Sequence, residues 1–311
     1  MKAVIQPSGK ITRAGAYDIL LREYLGQPCD RFAMSSSDAR VLSLSNGTPA
    51  HVQAEWAEER ESERKADFGS AVHALILEPF RAESDIVVID APDFRKKDAQ
   101  AARDAATAQY KIPLLVKDFE RAEAAAEAVF ADPDAGPLFK KGGAPERSLL
   151  AKIDALDIYA KARPDFITAG EIIIDVKTVG NVEEEFIKRR IWEGGWFHQA
   201  PWHAHTYERV YRQPAADYLW VCVEQEEPHS VLLIRPPEAA LMHGAALNER
   251  AMQIFARCAQ ADDWPKLRSG VRNYGLPDFV YARLEAEALA RESKGTEALR
   301  LAHELNANPF G

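Results

Sequence analysis

The chain has 311 residues, 47% of them hydrophobic, and carries 48 Asp and Glu against 39 Lys and Arg, a formal net charge of −9. That is enough chain for one large domain or two small ones, and the acidic balance argues against general coating of nucleic acid while leaving room for a local basic groove. Cys29, Cys222 and Cys258 are far apart with no CxxC pair, and no apolar run approaches a membrane span, so a disulfide framework, a zinc ribbon, a secretory leader and membrane insertion are all poor readings and a reduced cytoplasmic protein is expected.

Residues 1–34 give mixed signals and read as a loose N-terminal arm. Ser35-Ser-Ser-Asp38 has the form of a helix N-cap leading into Ala39–Leu44. Residues 51–65 are charged and read as a solvated helix with a loop. Asp67–Glu78 is a short helix whose Val72, Leu75 and Ile76 share a face and which Pro79 stops. Asp85–Ile89 is a strand candidate, and 91–111, with Arg95, Lys96 and Lys97, reads as a loop and a helix. A helix over Val116–Phe130 ends at Asp132-Pro133. Strands follow at about 146–153, 157–163 and 171–177, separated by tight turns. Helices are expected over Asn181–Arg190 and Trp196–Tyr211, then a hairpin of Asp217–Glu224 with Ser230–Ile234. A long helix over Pro237–Cys258 and a tail helix at 279–292 complete the chain. This order predicts an α/β (α+β) fold: a central mixed sheet flanked by helices, with an N-terminal helical elaboration. The expected division is an arm over 1–34, the main domain over 35–266, and a helical tail over 267–311 packed on that domain.

The segment carrying most chemistry is Lys161–Thr178. Ile172–Ile174 is a β-branched run that reads as a buried strand, and Asp175-Val176-Lys177 ends it. Residues two apart on a strand point to the same side, so Asp175 and Lys177 should emerge together. A turn near Thr168-Ala-Gly170 allows a hairpin that returns Asp165 beside Asp175. Two carboxylates and an amine at one point suit a hard, oxygen-liganded ion such as Mg²⁺. His73 follows the small residues Gly69, Ser70 and Ala71 on its helix, and Glu146 opens the first central strand. Gln199 and Tyr207, eight residues apart, share one face of their helix. His198, His203 and His205 lack a HExxH pattern and cysteine partners, which disfavours zinc, and no GxxxxGK[ST] loop is present for ATP.

In order, Gly69-x-x-x-His73, Arg163-Pro-Asp165, Asp175-Val-Lys177-Thr178 and Gln199 resemble the PD-(D/E)xK nuclease superfamily, most closely its RecB-type and RecE-type members. Gly69–Pro79, Ser35-Ser-Ser-Asp38 and Asp263-Trp-Pro265 add to the resemblance, which covers roughly 34–266. It implies a restriction-endonuclease-like core with Asp165, Asp175, His73 and the Val176 carbonyl as metal ligands. Lys177 would orient the attacking water, Gln199 would support the lysine and the scissile phosphate, and Glu146 would face the metal or stand behind it. The family's usual tyrosine four residues after the glutamine is His203 here, with Tyr207 one turn later. Arg163, Arg95, Lys96, Lys97, Lys188, Arg189 and Arg190 are the expected DNA contacts. The implied activity is Mg²⁺-dependent 5′→3′ digestion of double-stranded DNA from its ends, with two ions, Mn²⁺ as a substitute, and 3′ single strands as product for recombination. The resemblance further implies a bacterial or prophage-encoded protein, a RecT-like annealing partner and a ring of three or four subunits. Rival readings are a RecB-like end-processing nuclease, an endonuclease, and a catalytically silent DNA-binding or assembly protein. An iron–sulfur form would need four cysteines and fails on that count.

Overall fold

The computed structural model describes residues 9–43, 47–57, 68–267, 270, 271, 273, 275, 276 and 278–307. Residues 1–8 of the expected arm, Leu44, 58–65 of the expected charged helix and loop, and Asp67 lie outside these. The chain forms two units, 1–266 and 267–311. The first begins with β1 (Gly15–Tyr17), α1 (Leu21–Leu25), β2 (Ala33–Met34), α2 (Ser36–Ser43) and α3 (Pro49–Ala57). Next come α4 (Phe68–Leu77), α5 (Pro79–Asp85), β3 (Ile86–Ile89), α6 (Lys97–Ala108), β4 (Ile112–Leu115), α7 (Val116–Ala131) and α8 (Gly136–Lys140). The centre contains β5 (Gly143–Pro145), β6 (Ser148–Ile153), β7 (Ile158–Ala162), β8 (Phe166–Thr168) and β9 (Ile172–Val179). Then follow α9 (Glu184–Glu193), α10 (Trp196–Tyr211), β10 (Asp217–Glu224), β11 (Val231–Ile234) and α11 (Glu238–Ala261). Among the described residues the second unit holds one helix, α12 (Asp278–Ala307), which runs past the expected 279–292.

The principal sheet is five-stranded, in the order β11-β10-β9-β8-β5. β9 and β10 run parallel, and the other pairs are antiparallel. A second sheet has the order β1-β6-β7-β2. Residues 9–34 therefore differ from the expected loose arm: β1 pairs with β6, and β2 with β7. Strands of three and two residues are too short to leave a periodic signal, so backbone pairing with distant partners, not local pattern, orders this segment. β3 and β4 form a separate parallel pair, and β4 was not anticipated.

The β9 and β10 side chains divide two apolar layers by strand parity. Ile173, Val179, Tyr218, Trp220 and Cys222 join one core with Trp202 and Tyr207 of α10 and Phe255 of α11. Ile174, Val176, Val221 and Val223 join the other with Val72 and Ile76 of α4 and Ala122 and Val129 of α7. Asp175 and Lys177 have the parity of Ile173 and so project toward α10. Trp202 fixes α10 over the second sheet: its indole N–H donates to the Lys161 carbonyl at 2.9 Å. At the start of α2, Asp38 Oδ2 accepts from the Ser35 N–H at 2.7 Å and hydroxyl at 2.8 Å, while Ser35 Oγ accepts from the Asp38 N–H at 3.3 Å. These reciprocal bonds satisfy donors at the helix entry, as the sequence predicts.

Candidate active site

The turn between β8 and β9 brings the acids together. Phe166 faces Ile174 across the pair, and continuing that register by one residue sets Asp165 opposite Asp175. The Val176 N–H donates to Asp165 Oδ2 at 2.7 Å and fixes that carboxylate. His73 arrives from α4, its Nδ1 3.7 Å from the same oxygen. Glu146 sits just before β6 in a left-handed conformation, φ 46°, a region unfavourable to residues with a Cβ. Two bonds hold it there. Its N–H donates to the Asp165 carbonyl at 2.9 Å, and its carboxylate accepts from Arg163 Nε at 2.7 Å. One ligand atom from each of His73, Glu146 and Asp165 lies within 4.8 Å of the other two.

Beside this triad is a charge-paired row. Lys177 Nζ lies 2.7 Å from Asp175 Oδ2 and donates to Gln199 Oε1 at 2.9 Å. Gln199 Nε2 donates to Asp175 Oδ1 at 3.4 Å. The ammonium stands 5.6 Å from the centre of the Trp196 ring, within range of a cation–π contact. Asp175 is fully buried. Its Oδ2, though close to the ammonium, receives no well-aligned hydrogen bond.

Electrostatics separate the two acids. Burial, then the charges of Asp175 and Glu146, raises the Asp165 pKa well above its usual value against the pull of Lys177. Burial also works to raise Asp175, but Lys177 and His203 outweigh it and hold that group low. Lys177 behaves reciprocally. Burial alone would lower its pKa, yet Asp175 and Asp165 raise it, so the amine is a cation. It is therefore suited to charge stabilisation rather than proton abstraction. A carboxylate that resists ionisation, as Asp165 does, marks a place short of positive charge. His73, Glu146 and Asp165 offer the nitrogen and oxygen donors that a divalent cation would take, while Asp175, expected as a ligand, lies outside that group of three and is paired with Lys177.

These groups meet in a cavity of about 1480 Å³ lined by His73, Glu146, Arg163, Val176 and Lys177. One wall comes from residues 9–11, 18–23 and 26–28, and the other from α4 and α5. Arg163, expected as a phosphate contact, lines the cavity and also has an intramolecular task. Besides Glu146, it donates through Nη1 to the Ser148 hydroxyl at 2.7 Å and the Ile19 carbonyl at 3.0 Å. Lys161 is likewise spent internally, donating to the carbonyls of Tyr24, Leu25 and Gly26.

Of the other expected DNA contacts, Arg190 lines the cavity. Arg95, Lys96, Lys97, Lys188 and Arg189 are exposed and do not line it. Arg95 is paired with Asp93 at 3.3 Å, and Lys188 with Glu184 at 2.7 Å. Lys10, Arg22 and Arg81 line the cavity without having been singled out. His203 is buried, and burial pushes its pKa down to about 4 despite the nearby Asp175 charge. Tyr207 belongs elsewhere: Glu171 and Gln213 are its polar neighbours. It was expected as support on helical spacing, but two turns of α10 carry it past the site.

Among the described residues no helix is long and apolar enough to cross a membrane. No curated protein matches the chain. Among solved structures it is similar to a candidate exonuclease from Eubacterium rectale, with 13% identity, a TM-score of 0.53, and coverage of 84% of this chain and 98% of that one. A phage-related exonuclease from Haemophilus somnus 129PT aligns at 12% identity over 62% of this chain and 94% of that one, with a TM-score of 0.29 that carries no argument. At such identities the likeness is one of fold. Residues 37–274 match the family described as PDDEXK-like domain of unknown function (DUF3799). That match spans more than half of the chain, which therefore belongs to the DUF3799 family of PDDEXK-like domains.

Proposed function

We propose that this chain is a divalent-metal-dependent deoxyribonuclease that hydrolyses phosphodiester bonds of double-stranded DNA from an end, 5′→3′, leaving a 3′ single strand for recombination by annealing. One observation carries the reading: the donor atoms of His73, Glu146 and Asp165 converge within 4.8 Å beside the Asp175–Lys177–Gln199 row, where His73, Glu146 and Lys177 line a cavity of about 1480 Å³. The metal is Mg²⁺, with Mn²⁺ able to replace it. Two ions are expected from the superfamily resemblance, as are the end preference, the polarity, the RecT-like partner and the ring of three or four subunits.

His73, Glu146, Asp165 and Asp175 would hold the cation, with the Val176 carbonyl as a further oxygen donor. When bound, it supplies charge neutralisation on the phosphate and a more acidic water. The protein's own groups do the rest. Lys177, kept cationic by Asp175 and Asp165, places a positive charge where the pentavalent phosphate gathers negative charge. Gln199 fixes that amine through its carbonyl and leaves Lys177 few alternative positions. Arg163 keeps Glu146 aimed at the triad. Lys10, Arg22 and Arg190 on the cavity wall supply backbone-directed charge, which an acidic chain needs locally rather than globally.

The test is a linear duplex labelled at each end in turn, incubated with Mg²⁺ or with EDTA, beside a covalently closed circle. Release of label from the 5′ end only, only with Mg²⁺, and an intact circle are expected. Cutting of the circle would replace the exonuclease reading with an endonuclease. An intact linear duplex under all conditions would leave a silent DNA-binding domain.

A further inference from the structure

Three buried polar atoms without a well-aligned hydrogen bond gather around one carboxylate. They are Asp175 Oδ2, the Tyr218 hydroxyl and His203 Nδ1, on residues 0%, 6% and 3% exposed. They come from β9, β10 and α10. Asp175 pairs with Trp220 and Ile173 with Tyr218 in the parallel register. Strand parity therefore puts Tyr218, Trp220 and Asp175 on the face that α10 covers. The rings of His203 and Tyr218 are 6.3 Å apart. Trp220 stands edge-on to Tyr218 at 6.2 Å and 79° and limits how that ring can turn. The Asp175 charge reaches both neighbours, opposing burial at His203 and adding to it at Tyr218.

An unpaired buried polar group costs about 1–3 kcal/mol, so three beside one another call for a reason. Asp175 itself has one oxygen near Lys177 and the other on a long bond from Gln199. Neither of these contacts comes from the β10 side, where the Tyr218 phenol meets the same carboxylate. A phenol O–H there is a donor that a carboxylate can accept, and the imidazole beside it can accept or donate according to tautomer.

Resting on the nuclease reading above, we infer that Tyr218, backed by His203, is a positioning residue that orients the Asp175 carboxylate for the cation and for Lys177. The resembling family's pattern places a tyrosine at the α10 position that is His203 here. In this chain the phenol approaches from the neighbouring strand instead. Tyr218 touches no substrate in this scheme and acts through Asp175 alone.

The experiment uses the full chain carrying Tyr218→Phe, and the same change combined with His203→Tyr. Mn²⁺ binding is titrated calorimetrically without DNA, thermal unfolding is followed in EDTA, and kcat and KM are measured on linear duplex. Tyr218→Phe keeps the ring, so Tm in EDTA should stay near that of the parent. Mn²⁺ affinity should fall about tenfold or more, the usual result of removing a group that orients a ligand. The kcat should fall at fixed Mn²⁺ with KM for DNA unchanged, and the combined variant should recover part of the affinity by returning a phenol from the helix side. Parent-like Mn²⁺ affinity in Tyr218→Phe overturns the inference, as does a loss confined to Tm. Should that variant fail to fold, His203→Gln decides, because unchanged Mn²⁺ affinity there removes the cage. A parent chain that binds Mn²⁺ yet leaves DNA intact refutes the nuclease reading alone, since the binding titrations still judge Tyr218. A parent that binds no Mn²⁺ refutes both.

Discussion

Lys177→Met is the most informative single change, because it separates a stabilising ion pair from a catalytic charge. The methionine fills most of the volume of the lysine stem but removes the ammonium 2.7 Å from Asp175 Oδ2. Asp175 is fully buried, so its carboxylate would keep no cationic partner at contact distance and would rely on uncharged donors such as Gln199 Nε2 at 3.4 Å. Breaking a buried pair from one side costs about 3–5 kcal/mol. The Lys177 side chain is 17% exposed at the cavity, so water relieves part of this and a loss of about 3 kcal/mol is expected. For a unit of this size that corresponds to a fall in Tm of roughly 6–12 °C in EDTA. Lys177 and His203 hold the Asp175 pKa low. A depressed carboxylate contributes stability that is present above its unfolded value, about 3.9, and lost as pH falls through the folded one. The gap between parent and variant should therefore be full at neutral pH and shrink below about pH 4. Adding Asp175→Asn to Lys177→Met removes the stranded charge, so that double variant should regain most of the Tm while remaining inactive on DNA. Thermal melts across pH, run beside the end-labelled DNA assay, read all of these. A Lys177→Met protein melting within about 1 °C of the parent, or a double variant no more stable than the single, refutes the buried-pair reasoning.

Asp165 carries the opposite sign. Its folded pKa is raised by burial and by Asp175, so its contribution is fully present below the unfolded pKa and is lost as pH rises. Asp165→Asn should therefore raise the Tm of the metal-free protein at neutral pH and abolish the Tm gain on adding Mg²⁺, both read in melts with EDTA or Mg²⁺. His73→Ala and Glu146→Gln should each weaken Mn²⁺ binding at least tenfold by calorimetry, comparable to the loss of other groups at metal sites. Arg163→Met removes the bonds to Glu146, Ser148 and Ile19 and should lower stability by about 2–4 kcal/mol in urea titrations, with activity falling as Glu146 is released. Arg190→Ala, at an exposed residue on the cavity wall, should leave the Tm unchanged, weaken duplex binding, and reduce the slope of log affinity against log salt by about one.

Some of the site can be read without coordinates because its geometry is local. The β-branched run Ile172–Ile174 makes a strand, and strand parity alone puts Asp175 and Lys177 on one side. A turn and an antiparallel return suffice to bring Asp165 alongside. Gln199 and His203 share a face of α10 by helical spacing, so one residue beside Lys177 implies the other beside Asp175. The same spacing admits Tyr207, and only the length of α10 relative to the sheet carries that residue away to Glu171 and Gln213. Tyr218 is invisible to motif reasoning. It sits in an ordinary apolar strand, and its relevance comes from the parallel register of β10 on β9.

The charged residues divide along the same line. Arg163 beside Pro164-Asp165 has the sequence context of a phosphate contact, yet Glu146, Ser148 and the Ile19 carbonyl, distant in the chain, claim its donors. Lys161 is taken by carbonyls at the C-terminal end of α1 in the same way. Conversely, Lys10, Arg22 and Arg81 have no local mark, and they line the cavity because β1 joins the second sheet and α5 follows α4 along the opposite wall. Local chemistry thus determined the strand-borne acid–amine row, the helix with its glutamine, and the types of donor available to a cation, since periodicity and side-chain type reside in short segments. Tertiary structure alone decided which cations face the cavity and which are consumed in holding it, because a guanidinium's role is set by whichever acceptor reaches it first, and those acceptors arrive from elements far apart in the chain.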